Sequence, residues 1–281
     1  MLRDIIQKRA ADLTDGTFKK TMGESRDLLT YMLEEAELRR QETGKEVWSV
    51  DDIIGHLLNF TSAGQALTRP SHHLGHESTA TTLSWSLYVL ATNHSIQDRL
   101  RSEINSLLEA NPDPDYDSIF GLPYLHNFVR EVLRVFPPSY MAQRQTTRPL
   151  TISNIPIPTG TQIDILIPLA HQHPSIWGQD AQTFNPDRWD ALTGDAASPF
   201  AFEAFLQGPR TCPGRNFALI EVKAVLMELV PKWRFLGVEG NGGELLTGGE
   251  EKVGRGVKIA NPSLTYRPRD GLFVRFERVS E

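Results

Sequence analysis

The sequence predicts a mainly α-helical fold with a minor β-sheet. Three observations carry this. Helix-start signals precede apolar runs at Ser49 to Asp52 and at Ser95 to Asp98. Prolines stop the helical patterns, as at Pro137-Pro138. Strand-like patterns are confined to 150–167 and to Leu272, Val274 and Phe276, which alternate with charged residues. The 281 residues, 40% hydrophobic and 23% charged, are ordinary for a soluble globular protein. No linker divides them, so one domain over 1–281 is expected. The net charge of −6 weighs against a nucleic-acid partner. A single cysteine rules out an internal disulfide and fits a reducing compartment. No apolar run reaches the roughly 18 residues of a spanning helix, and the first residues carry too much charge for a secretory signal.

The elements follow in order. Residues 1–24 begin helical and loosen at Asp15-Gly16. Ser25 to Arg40 is helical, with Leu28, Leu29, Met32, Leu33 and Ala36 as its apolar stripe. Ser49-Val-Asp-Asp52 caps a helix that runs through Ile53, Ile54, Leu57 and Leu58. After an interruption, Gly75 to Trp85 and beyond is apolar nearly all round, as a central buried helix should be. Ser95-Ile-Gln-Asp98 opens a further amphipathic helix, closed by Pro112, and Leu122 to Phe136 forms the next. In 150–167, Pro156, Pro158 and Gly160 mark a turn between two short strands. Residues 168–204 are proline-rich and irregular. Asn216 to Lys232 is a helix with Phe217, Ile220 and Ala224 on one side and Leu219, Val222, Leu226 and Leu229 around it. Gly237 to Gly256 is a glycine-rich loop.

The chain is organised around Phe205-Leu-Gln-Gly-Pro-Arg-Thr-Cys-Pro-Gly214, which holds the one cysteine, Cys212. Gly208 and Gly214 permit positive φ or close backbone approach. Pro213 suits the first position of the helix that follows. The sulfur therefore stands at a helix N-terminus, where unpaired N–H groups favour thiolate. Such a thiolate is a nucleophile or a soft metal ligand. A cysteine hydrolase requires a histidine base beside Cys212, and no nearby histidine in the sequence supplies one.

Phe205, Gly208, Arg210, Cys212 and Gly214 resemble the haem-binding loop of the cytochrome P-450 family at every position of its pattern. The resemblance runs from about residue 25 to the end. It implies a P-450-like fold truncated at the N-terminus, with the chain as the C-terminal part of a single haem-thiolate domain. It implies haem b, with Cys212 as axial ligand of the iron, and Arg210 and Arg144 as partners of the haem propionates. Glu131 and Arg134, at i and i+3, match the family's paired charges. Phe184-Asn-Pro-Asp-Arg-Trp189 supplies Arg188 as the third member of a buried triad. Gly75-His-Glu-Ser-Thr79 resembles the oxygen-activation stretch: Glu77 relays protons, Ser78 takes the place of the usual first threonine, and Thr79 follows. The implied reaction inserts one oxygen atom of O2 into a small apolar organic substrate. Its electrons come from a separate reductase, for which Arg215, Lys223 and Lys232 suggest a basic face. In eukaryotes the family is usually anchored to the endoplasmic reticulum membrane, and no anchor is read in this chain. A truncated, non-catalytic fragment that binds no haem productively is the alternative.

Residues 65–75 read as an insertion that disrupts the central helix, because joining Ala63-Gly64 to His76 restores an unbroken motif. Pro70 predicts a kink or loop there. His72, His73, His76 and Glu77 cluster around the insertion. They lack a well-spaced third ligand, so polar filler is expected rather than a metal site.

Overall fold

The computed structural model describes residues 2–14, 27–45, 48–64, 74–239, 245–246, 257, 266–269 and 271–279. The chain forms two compact units, 1–76 and 77–281. The division follows the 65–75 segment. Residues 65–73, with the expected kink at Pro70 and with His72 and His73, lie outside the described residues, as does the His76 side chain.

The first unit holds helices α1 (Leu2–Thr14), α2 (Leu28–Thr43) and α3 (Val50–Gly64). They bury a small cluster of Ile6, Leu29, Met32 and Ile53. The N-cap of α2 is Asp27, two residues later than the expected Ser25 start. Its carboxylate accepts from Thr30 N–H at 2.8 Å and pairs with Arg9 of α1 at 2.8 Å. The Ser49 box forms as expected: Ser49 N–H donates to Asp52 at 2.9 Å, and Asp52 N–H to Ser49 Oγ at 3.2 Å.

The second unit contains α4 (Leu74–Thr92) from Glu77 onward, α5 (His94–Ala110), α6 (Tyr116–Phe120) and α7 (Pro123–Val135). Two small antiparallel sheets follow: β1 (Met141–Gln145) with β4 (Gln162–Leu166), and β2 (Leu150–Ile152) with β3 (Ile155–Ile157). Short helices α8 (Ile167–His171) and α9 (Pro174–Trp177) and three 3-10 turns occupy the stretch expected to be irregular. After the cysteine loop come α10 (Arg215–Leu229) and a sheet of β5 (Trp233–Glu239), β6 (Leu245–Leu246) and β7 (Val274–Arg278).

One core gathers Trp85, Val89 and Leu90 of α4, Leu100 and Ile104 of α5, Phe128 and Val132 of α7, and Leu219, Val222 and Leu226 of α10. Trp85 is fully buried and stacks flat on Phe136, with ring centroids 4.1 Å apart. Its indole N–H donates to Tyr266 O at 2.8 Å. The start of α7 is capped from another element. Both oxygens of Glu103, on α5, accept from the N–H groups of Tyr124 and Leu125 at 2.8 Å.

Several expectations are corrected. Helix α5 begins at His94 with Asn93 as N-cap, so Ser95 lies inside it and caps nothing. Gln97 turns inward instead and bonds to both N–H and O of Phe235. As expected, Pro158 and Gly160 mark a turn between two short strands, β3 and β4, with Gly160 at φ 84°; an additional tight turn at Ser153-Asn154, both at positive φ, joins β2 to β3. Pro156 lies within β3, and the second strand pair, β1 with β4, went unanticipated. Gly237 belongs to β5, at a register shift against β7, and not to a loop. Helix α10 spans Arg215–Leu229, three residues shorter at its end, and turns Phe217 and Ala224 outward. Lys223, expected on a basic surface, is fully buried and donates to Phe120 O at 2.6 Å. Burial pushes its ammonium down to about 8.

Candidate cofactor site at the cysteine loop

The loop from Phe205 to Gly214 is pinned at both ends. Cys212 N–H donates to Phe205 O at 2.8 Å, and Arg215 N–H, at the start of α10, to Cys212 O at 3.3 Å. Between them the chain passes through two left-handed residues, Leu206 at φ 58° and Gly208 at φ 74°. Glycine explains the second. Leu206 has no such excuse and stores about 1–2 kcal/mol of strain by the general cost of this region. A 3-10 turn over Gly208–Arg210 follows, closed by Thr211 Oγ1 donating to Gly208 O at 2.8 Å. Gly214 is the N-cap of α10, so Pro213 precedes the cap and does not occupy the first helical position. Gly214 has ordinary φ, −84°. A Cβ there would lie 3.9 Å from Cys212 Sγ, in plain van der Waals contact. Cys212 is exposed and its thiol is free. Arg210 is exposed on the same loop.

Behind the loop, Glu131 and Arg134 of α7 are fully buried and meet in a two-point ion pair. Arg134 Nε donates to Glu131 Oε2 at 2.8 Å, and a terminal nitrogen donates to Oε1 at 2.7 Å. The remaining acceptor capacity of Glu131 is taken by Asn185 N–H at 2.9 Å and by Trp189 Nε1–H at 3.0 Å. Arg134 also donates to the carbonyls of His171, Ala181 and Thr183 at 2.8, 2.6 and 3.1 Å. Arg188 joins as the expected third charge, with Nε 3.5 Å from Glu131 Oε1, a distance of ion pairing rather than hydrogen bonding. Its other nitrogens grip Asp180, the nearest at 2.8 Å. That bond holds the Asp180 carboxyl below its ordinary value. Burial works against the Arg188 cation, yet Asp180 and Glu131 together keep its pKa above the ordinary one.

Two further residues tie this network to the loop. His171 is fully buried, with Nδ1 3.0 Å from Arg134 O and with Nε2 accepting from Glu203 N–H at 2.8 Å. Burial pushes its pKa from 6.5 down to about 4. Glu203 feels burial, which raises its carboxyl, and the charge of Arg144 on β1, which pulls it down. Arg144 is thereby within electrostatic reach of Glu203; it is exposed and donates to Gln143 O at 2.8 Å. No local signal marks His171, whose partners stand 37 and 32 residues away in sequence. Asn185 and Trp189 were passed over for the same reason.

The low pKa of His171 fixes a pH dependence. The folded pKa lies below the unfolded one, so the unfolded chain takes up the proton first. Stability is intact above pH 6.5 and falls as pH drops towards about 4. His126, also held near 4 by burial, pulls the same way. For His171 the loss is on the order of 3 kcal/mol, at about 1.4 kcal/mol per unit. Urea titrations at pH 7 and pH 4.5 should show the midpoint falling at the lower pH, and an unchanged midpoint contradicts the assignment.

Glu77, Ser78 and Thr79 stand on a different element, in the first turns of α4. Glu77 is mostly buried and lies 3.6 Å from Arg267. Thr79 is buried, and Ser78 is partly so. An acidic group in a first helical turn is favoured by the backbone dipole.

One exposed soft sulfur donor on a pinned loop is of a kind that fits the iron of a haem. Exposed arginines on that loop and on β1 fit its carboxylates. The cytochrome P450 family model matches residues 1–253. "Cytochrome P450 monooxygenase sphH" of Aspergillus fumigatus is 36% identical over 82% of the chain and 39% of its own length. "Cytochrome P450 monooxygenase ALT8" of Alternaria alternata is 31% identical over 88% of the chain and 46% of its length. "Thromboxane-A synthase" of Rattus norvegicus is 34% identical over 66% of the chain and 33% of its length. The chain belongs to the cytochrome P450 family. It spans less than half the length of these relatives. The family is one of haem-dependent oxidoreductases. Among the described residues no helix is long and apolar enough to cross a membrane.

Proposed function

We propose that this chain supplies the thiolate side of a haem monooxygenase that inserts one atom of O2 into an apolar organic substrate. Cys212 would hold the haem iron through its sulfur. The observation that carries this is the free, exposed thiol on a loop whose base is anchored to the buried Glu131–Arg134 pair. Haem b, when bound, supplies the redox chemistry of O2 activation, with electrons from a separate reductase. The chain's own residues hold, orient and move protons. Arg210 and Arg144 would hold the haem carboxylates. Glu77, paired with Arg267 at 3.6 Å, is the carboxylate that would relay protons, and Ser78 and Thr79 follow it on α4 with hydroxyls that can donate and accept. The buried triad keeps the loop's foundation rigid. Residues 65–75 are read as translated intron or an error in the gene model, and a transcript that naturally encodes them in quantity defeats that reading.

The partial coverage of the relatives favours a second reading, a fragment that binds no haem productively. Haem titration of the purified chain and of Cys212→Ala separates the two. Because Cys212 is exposed, the substitution leaves the fold in place. Saturable haem uptake by the parent chain, lost in Cys212→Ala, supports the proposal. Equal uptake by both chains, or none by a folded parent, overturns it.

A further inference from the structure

We propose that His171 is a positioning residue that locks the cysteine loop to the buried ion pair. The neutral ring has one donor and one acceptor, and the fold uses both. Arg134 O can only accept, so Nδ1 carries the hydrogen at 3.0 Å. Glu203 N–H can only donate, so Nε2 is bare at 2.8 Å. The partners thus select a single tautomer. Arg134 answers by donating to the backbone O of His171 at 2.8 Å, so side chain and backbone of the two residues clasp each other. The ring lies nearly flat on Phe202, with centroids 5.3 Å apart and 12° between planes.

From Glu203 the connection continues without a gap. Glu203 O accepts from Leu206 N–H at 3.0 Å, and Phe205 O accepts from Cys212 N–H at 2.8 Å. One ring therefore joins the Glu131–Arg134 helix to the segment that carries the thiol. The loop holds a strained Leu206, and a strained turn persists only where its surroundings over-determine it. His171 is the side chain that does so at the loop's entry. This inference rests on the loop being the functional element but not on haem being bound, and its test uses no haem. Failure here and failure of the haem reading are therefore distinguishable.

The test exploits two amide substitutes for the ring. Asparagine can donate where Nδ1 did but falls short of Glu203. Glutamine can place its oxygen where Nε2 was. Amide hydrogen exchange at Glu203, Leu206 and Cys212 is followed with the alkylation rate of Cys212, the only thiol in the chain. His171→Asn should speed exchange at these amides about tenfold, the scale of one lost buried hydrogen bond, and change the alkylation rate. His171→Gln should restore both towards the parent values, with exchange in the α7 core unchanged. In the unsubstituted chain, Glu203 N–H should be protected as strongly as the α7 amides, which keeps the test alive if a variant does not fold. Glu203 exchanging as fast as exposed loop amides, or Asn and Gln variants behaving alike, overturns the proposal.

Discussion

Glu131→Ala is expected to cost the second unit about 3–5 kcal/mol, enough to unfold a typical domain. The carboxylate has no access to water and neutralises Arg134, which is equally buried. Removing it leaves that guanidinium uncompensated and strips acceptors from Asn185 N–H and Trp189 Nε1–H. Each unsatisfied group adds its own desolvation penalty. Arg188→Ala should be milder, because Arg188 sits at 3.5 Å from Glu131 and spends most of its donors on the partly exposed Asp180. Urea unfolding followed by circular dichroism checks both. A Glu131→Ala chain within about 1 kcal/mol of the parent contradicts a buried, mutually dependent network.

Trp85→Ala should cost about 3–5 kcal/mol through the cavity it leaves. The indole is fully buried, stacks on Phe136, and meets Tyr88 edge-on at 5.6 Å. Trp85→Phe should cost less. It keeps much of the stack but loses the bond to Tyr266 O that ties α4 to the segment before β7. The difference between the two variants separates ring volume from hydrogen bond. Near-equal losses contradict the stacking account.

The sequence carried the parts of this site whose logic is local. Glu131 and Arg134 share a helix face at i, i+3, and the ten residues around Cys212 form one uninterrupted pattern. Arg188 was legible only through resemblance, since nothing in its own neighbourhood says that it turns towards α7. His171, Asn185 and Trp189 were not legible, because their roles depend on partners tens of residues away. The capping pattern at Ser49 forms because the helix starts one residue after it, at Val50. The same pattern at Ser95 does not, because the helix already starts at His94, with Asn93 as N-cap. The buried Lys223 failed for a different reason: a charge read as surface found a carbonyl and an aromatic ring, with Nζ 4.4 Å from the Phe120 centroid. Helix periodicity predicts which residues are apolar, and tertiary packing decides which polar ones join them.

The central claim is that Cys212 binds haem iron as a thiolate. The direct measurement is the absorption spectrum of the haem-loaded chain, reduced and exposed to carbon monoxide. A strongly red-shifted Soret band, absent in Cys212→Ala, is the result predicted here. An unshifted band, the same in both chains, means that sulfur is not the ligand and contradicts the account.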